Sequence, residues 1–278
     1  MMKKIVAIGA LGGSGTRIIA EILIRSGIYF GDILNYPNDN LIFTSLFKSP
    51  KWYKRASQEE LQSRLKIFDK FMNCDILTFS EKYELFKSTV QNKTVSRDYS
   101  FYYKTFFRKK LVNDVDYWGW KEPNTQIYLN EINNFYPNIK YVHVLRNGLD
   151  MAFSQNKYQL KNWGFKYNIY FDELDNDKET SIKQLDYWIE STKEVLIHQE
   201  KLKGRFYLLN YTDFCTKPEK EIDKLLSFLE INIDDSNKLS LSKLVKKTSS
   251  FNRHKKNDIS YFRSDQIEFL NTVGFTVD

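Results

Sequence analysis

Six consecutive residues near the start of the chain, Gly12-Gly13-Ser14-Gly15-Thr16-Arg17, have the composition of an anion cradle. Glycines let a backbone bend so that several N–H groups converge on one anion, and the hydroxyls of Ser14 and Thr16 add donors. The flanks place this stretch at a helix start. Ile5 to Gly9 is a compact apolar strand, and Thr16 to Ser26 carries Ile18, Ile19, Ile22 and Leu23 on one stripe before Gly27 stops it. A helix N-terminus presents unpaired N–H groups and a partial positive charge, so the cluster sits where an anion is stabilised. A tight strand-to-helix turn without a ligand is the alternative reading. The loop matches neither common phosphate pattern. Aligned on Gly9 and Thr16, the ATP-binding form G-x-x-x-x-G-K-[ST] puts Ser14 at its second glycine and Gly15 at the lysine that reaches the terminal phosphates. The dinucleotide form G-x-G-x-x-G fails because Gly13 and Gly15 are followed by Ile18.

Three later stretches also carry chemistry. In YVHVLRNGLDMAFS an apolar strand, Ile139 to Leu145, runs into Arg146, and Ser154 follows eight residues on. A guanidinium clamps phosphate in bidentate fashion, and a helix over 147–158 would carry Ser154 two turns beyond it. In WGWKEP, Lys121 precedes a helix expected from Asn124 or Thr125 to about Phe135. In LLNYTDFCTKPEKEIDKLLSFLEI a third strand, Phe206 to Asn210, leads to Tyr211 and Asp213 and then a helix from Pro218 to Leu229.

Taken in order, these four stretches resemble the PAPS-dependent sulfotransferases, in a branch similar to the tyrosylprotein and bacterial enzymes; the resemblance covers residues 5 to about 231. It implies a P-loop-type three-layer α/β fold, with a central, mostly parallel sheet flanked by helices. It also implies 3′-phosphoadenosine 5′-phosphosulfate (PAPS) as sulfuryl donor and PAP as product. In the likeness Gly12, Gly13, Ser14, Gly15 and Thr16 cradle the 5′-phosphosulfate, and Arg146 and Ser154 hold the 3′-phosphate. Lys121 steadies the departing oxygen, and Tyr211 lies by the nucleotide. A late loop closes such sites, and Ser250, Arg253 and Lys255 are its candidates, with a solvated basic loop as the alternative.

The chain departs from the family pattern where Gly13 stands for the usual Arg or Lys and Arg17 for the usual Thr or Ser. A cation in a first helical turn opposes the helix dipole, so Arg17 is read as supplying the charge that Gly13 lacks; an exposed pair with Glu21 is its rival. A transferred hydroxyl must lose its proton to a nearby base. Asp32, beside Gly31, matches the branch's acidic residue, Asp39 is the reserve, and a loop-capping role competes for each. His143 is read as a residue within the sheet.

Strands alternating with helices predict a parallel sheet covered on both faces. The 278 residues suit one large domain with a helical excursion at about 35–115. Within it, residues 28–56 read as loop with short helical turns. A helix begins at Ser57, where Glu60 completes a capping box, and a helical stretch over 97–111 carries Tyr99, Phe101, Tyr102, Tyr103, Phe106 and Phe107. A long helix is expected over 180–202, and a last one near 262–271. MMKKIVAIGALGG mimics a secretion signal, but its apolar run is short and reads better as a buried strand.

A net charge of +7, spread without a dense block, fits a small polyanion better than nucleic acid. Cys74 and Cys215 alone suggest neither a disulfide framework nor zinc, and the scheme requires no metal. The expected enzyme is cytoplasmic, without an integral membrane segment, and acts on a small-molecule or glycan acceptor. Two alternatives stand beside it: a kinase-like nucleotide-dependent P-loop enzyme, and a nucleotide-binding protein that has lost catalysis.

Overall fold

The computed structural model describes residues 3–92, 101, 104–105 and 116–276. β1 (Lys4–Ala10) is buried from Val6 onward, the pattern of a strand covered on both faces. The glycine stretch follows, and α1 (Thr16–Arg25) buries Ile19, Ala20, Ile22 and Leu23. The apolar start of the chain is therefore a sheet strand, as its pattern suggested. α2 (Leu41–Phe47) is capped by Asn40, whose side chain accepts from the backbone N–H groups of Ile42 and Phe43. After the short α3 (Pro50–Tyr53), α4 (Gln58–Met72) opens with the Ser57/Glu60 capping box, satisfying two otherwise orphaned N–H groups. α5 (Phe79–Gln91) repeats that device with Thr78 and Glu81. Most of the aromatic stretch over 97–111 lies outside the described residues, Tyr99, Tyr102, Tyr103, Phe106 and Phe107 included; Phe101 is buried.

Three strands were expected, and among the described residues the sheet has four. The addition is β2 (Tyr117–Lys121), the WGWK stretch itself. It pairs in parallel with β1, Lys4 opposite Tyr117 and Ile8 opposite Lys121. Alternation sends Trp118 and Trp120 to one face and Gly119 and Lys121 to the other. The tryptophans enter an aromatic cluster: Trp120 lies 5.4 Å from the Phe43 ring and 5.1 Å from Phe68, and Trp118 lies 5.7 Å from Tyr136. Truncating Trp120 to Ala would cost about 3–5 kcal/mol by cavity formation. Gly119 is fixed by its neighbour strand, because a Cβ there would come within 2.4 Å of the Val6 carbonyl oxygen.

With β3 (Lys140–Leu145) and β4 (Phe206–Asn210), the strands form a central parallel sheet flanked by helices, in the order β2-β1-β3-β4. By proximity of Cα atoms the chain groups into two compact units. One comprises Met1–Gly9 and Thr16–Val142, the other Ala10–Gly15 and His143–Asp278. His143 is a buried residue of β3, as expected.

The segment after Lys121 starts as a 3₁₀ turn, Pro123–Tyr128, capped by Glu122, and becomes α-helical at Leu129–Phe135. The long helix runs Asp177–Leu202, the helix after β4 runs Pro218–Leu229 and the last runs Ser264–Thr272. The helix after β3 is shorter than its spacing predicts. It spans only Gly148–Ala152, so Ser154 lies beyond its end and not two turns along it. The reason is tertiary. Side chains from elsewhere take the carbonyls that a longer helix would need: Gln184 donates to Ala152 and Ser154, and Arg253 to Phe153. The chain becomes helical again at Tyr158–Trp163.

Candidate functional site

In the second unit the glycine loop and Arg146 meet. Gly13 and Gly15 both have positive φ, 93° and 87°, and a Cβ on Gly15 would come within 2.1 Å of the Tyr211 ring. Ser14 is buried, and its N–H closes a turn on the Leu11 carbonyl. Arg146 leaves the carboxyl end of β3 with 5% exposure. One terminal nitrogen donates to the Gly13 carbonyl at 2.9 Å; the other donates to the Ser250 carbonyl and to Asp150 at 3.3 Å. Its Nε is buried with no hydrogen-bond partner. A buried unsatisfied N–H on a cation is costly, and an anion set against it removes that cost. The guanidinium also stands 5.4 Å from the Tyr211 ring centre. Burial, with help from Cys215, pushes the Tyr211 phenol up to about 12, so it stays a neutral donor near neutral pH.

The late loop reaches the same place. The Thr248 and Ser250 hydroxyls lie 2.9 Å apart, and the Ser250 carbonyl accepts from Arg146. Arg253 instead faces main chain, donating to the Phe153 carbonyl at 3.0 Å. The Ser154 hydroxyl accepts the N–H of Asn156. Asp150 and His254, which the sequence reading missed, are both 4% exposed. Asp150 accepts from the His254 Nδ1 at 2.7 Å and from the backbone N–H groups of Asn252 and His254 at 3.0 Å each. Burial alone would raise its pKa, but the His254 hydrogen bonds and the Arg146 charge outweigh this and hold it below the usual range.

The first unit carries a different cluster. Lys121, 2% exposed at the carboxyl end of β2, donates to Asp39 at 2.5 Å. Backbone pairing sets up this meeting. Tyr29 bridges to Trp118 beside β2, and the Asn40 N–H donates to the Lys121 carbonyl at 2.9 Å, which leaves Asp39 against the lysine. The other Asp39 oxygen accepts from Asn35. Next in the chain, the fully buried Glu122 pairs with Lys48 at 2.9 Å. Burial pushes Lys121 below the usual lysine range; Asp39 and Glu122 only partly offset it, and Lys48 adds to the depression. For Lys48 burial acts in the same direction, but Glu122 outweighs it and the net shift is upward. The structure thus brings together Lys121 and the reserve candidate Asp39. Asp32 is exposed and accepts from the Tyr29 hydroxyl at 2.8 Å. Arg17, also exposed, lies 3.9 Å over the Tyr36 ring, while Glu21 pairs with Arg25 at 2.6 Å. Among the described residues no three His, Cys, Asp or Glu side chains converge as metal ligands, and no helix is long and apolar enough to cross a membrane.

In open parallel α/β sheets ligands bind beyond the carboxyl ends of the strands, and the glycine loop and Arg146 follow the carboxyl ends of β1 and β3. The family model described as "Sulfotransferase family" matches residues 8–235, and the chain belongs to that family. Two solved structures share the fold. The sulfotransferase domain of the Synechococcus PCC 7002 olefin synthase is 12% identical, with a TM-score of 0.54 over 100% of this chain and 97% of that one. The sulfotransferase domain from the curacin biosynthetic pathway is 11% identical, with a TM-score of 0.54 over 100% and 99%. An uncharacterized protein of Aquifex aeolicus (strain VF5) is 29% identical over 116 residues, 41% of this chain but only 14% of that protein's length.

Proposed function

We propose that the protein is a PAPS-dependent sulfotransferase acting on a hydroxyl of a small molecule or glycan. When bound, PAPS supplies the sulfuryl group and leaves as PAP. The residues present fit such a polyanion, and the observation that carries the reading is Arg146: buried, aimed at the glycine loop, with an unpartnered Nε.

The backbone of Gly12, Gly13, Ser14 and Gly15, with the Thr16 hydroxyl, holds the 5′ end. Arg146, with Ser154 and Ser250 nearby in sequence or space, selects the 3′-phosphate, and Tyr211 flanks the nucleotide. Arg253 backs that pocket by holding main chain. Arg17 draws the anion toward the first turn of α1. Lys121 neutralises charge on the departing oxygen, an effect that is strong where water is excluded. Asp39 takes the acceptor proton; its contact with Lys121 favours it over Asp32 for this role. The resemblance to the bacterial branch favours a glycan or glycolipid hydroxyl.

Two measurements test the reading. PAP is expected to raise the melting temperature, and ATP with magnesium is not; the reverse would sink it. Labelled PAPS incubated with a panel of glycans, glycolipids and phenols is expected to yield a sulfated product.

A further inference from the structure

The late loop is held by a clasp that contains no residue assigned to the donor. Asp150, one turn after Arg146, gathers the Asn252 N–H, the His254 N–H and the His254 imidazole on its two oxygens, and also meets Arg146. The partners lie 102 to 104 residues away in sequence, so the contact is a tertiary joint and not a helix cap. With Asp150 ionised, the imidazole Nδ1–H is the donor, and a hydrogen bond to a charged acceptor is about twice as strong as a neutral one. The joint fixes two things together: the rotamer of Arg146, through the Asp150 oxygen it contacts, and the Ser250 carbonyl, which that guanidinium also grips. Arg146 is thereby braced on three sides, with Nε left open.

We infer that His254 and Asp150 are positioning residues that set recognition of the donor's 3′-phosphate by locking Arg146 and the 248–254 loop into one arrangement. The inference rests on the proposed use of PAPS and adds what determines its selectivity. It predicts an effect confined to the 3′ end: loosening the clasp weakens ligands that carry a 3′-phosphate and spares those that lack it. A joint that only supported the fold would weaken both alike.

The test is calorimetry of PAP and of 5′-AMP against the full chain. Wild type is expected to prefer PAP. In His254→Ala the PAP dissociation constant should rise about 10-fold, the loss of one charge-assisted hydrogen bond, while that for 5′-AMP changes less than twofold. His254→Asn, whose amide nitrogen falls near the Nδ1 position, should restore the preference. If H254A does not fold, His254→Gln fills the space without the donor at that position and is expected to show the same selective loss. An Ala or Gln variant that keeps the wild-type ratio, or loses both ligands equally, overturns the inference alone. Equal binding of the two ligands by wild type overturns the PAPS reading as well.

Discussion

Two of the buried ionic clusters among the described residues are built on opposite plans. In the second unit one carboxylate, Asp150, is saturated by two backbone N–H groups, an imidazole and a guanidinium. In the first unit two lysines and two carboxylates, Lys48, Lys121, Asp39 and Glu122, pair off as neighbours. The first plan depresses the acid and fixes geometry. The second leaves Lys121 displaced downward by burial and by the charge on Lys48. A carboxylate with every lone pair engaged serves as a fixed strut, whereas a buried lysine places a cation where little water screens it. In the proposed scheme the difference separates holding a ligand from changing it.

Removing Lys121 is the sharpest way to break that contrast. Lys121→Met is expected to lower kcat by on the order of 10²–10³, the usual loss for one donor at a developing anion, with PAP affinity within a few-fold of wild type. An equal loss in both quantities would place Lys121 among the holding residues. Next in size, Asp39→Asn should reduce kcat by about 10², and Asp32→Asn should leave it nearly unchanged in parallel steady-state assays. The opposite ranking would return the base to Asp32. Arg146→Lys keeps the charge and discards the planar fork; a rise of about 10-fold in the KM for PAPS with little change in kcat is expected, and a fall in kcat alone would contradict the plan drawn for the second unit.

The smallest effect is on stability. Burial first, and then His198, hold His143 down to about 3 from its ordinary 6.5. The unfolded chain therefore takes up this proton before the folded one. The stabilisation is complete above about pH 6.5 and is lost as pH falls toward 3, at up to about 1.4 kcal/mol per unit. Urea titrations across that window should show the slope, and His143→Asn should flatten it.

What the sequence disclosed follows the range of the forces involved. β1, the glycine turn and α1 were legible because apolar spacing and a glycine break are local, and the Ser57/Glu60 cap closes within one turn. Arg146 was legible because a strand delivers it. β2 was hidden: two tryptophans around a glycine belong to no strand pattern until the Val6 carbonyl and the aromatic cluster are in view. The truncated helix before Ser154 was hidden as well, since Gln184 and Arg253 arrive from distant segments to take its carbonyls. Neither the Asp39–Lys121 pair nor the Asp150–His254 joint leaves a mark in spacing, because their partners are 82 and 104 residues apart.

Arg146 reaches back 133 residues to Gly13 and forward 104 to Ser250. A ribosome that has released only the first two thirds of the chain has therefore made the glycine loop and its arginine, but not the carbonyl that completes the grip. Contacts of such separation form late and slow folding. A chain cut short before Ser250 would carry all four strands and still lack the carbonyl that Arg146 grips.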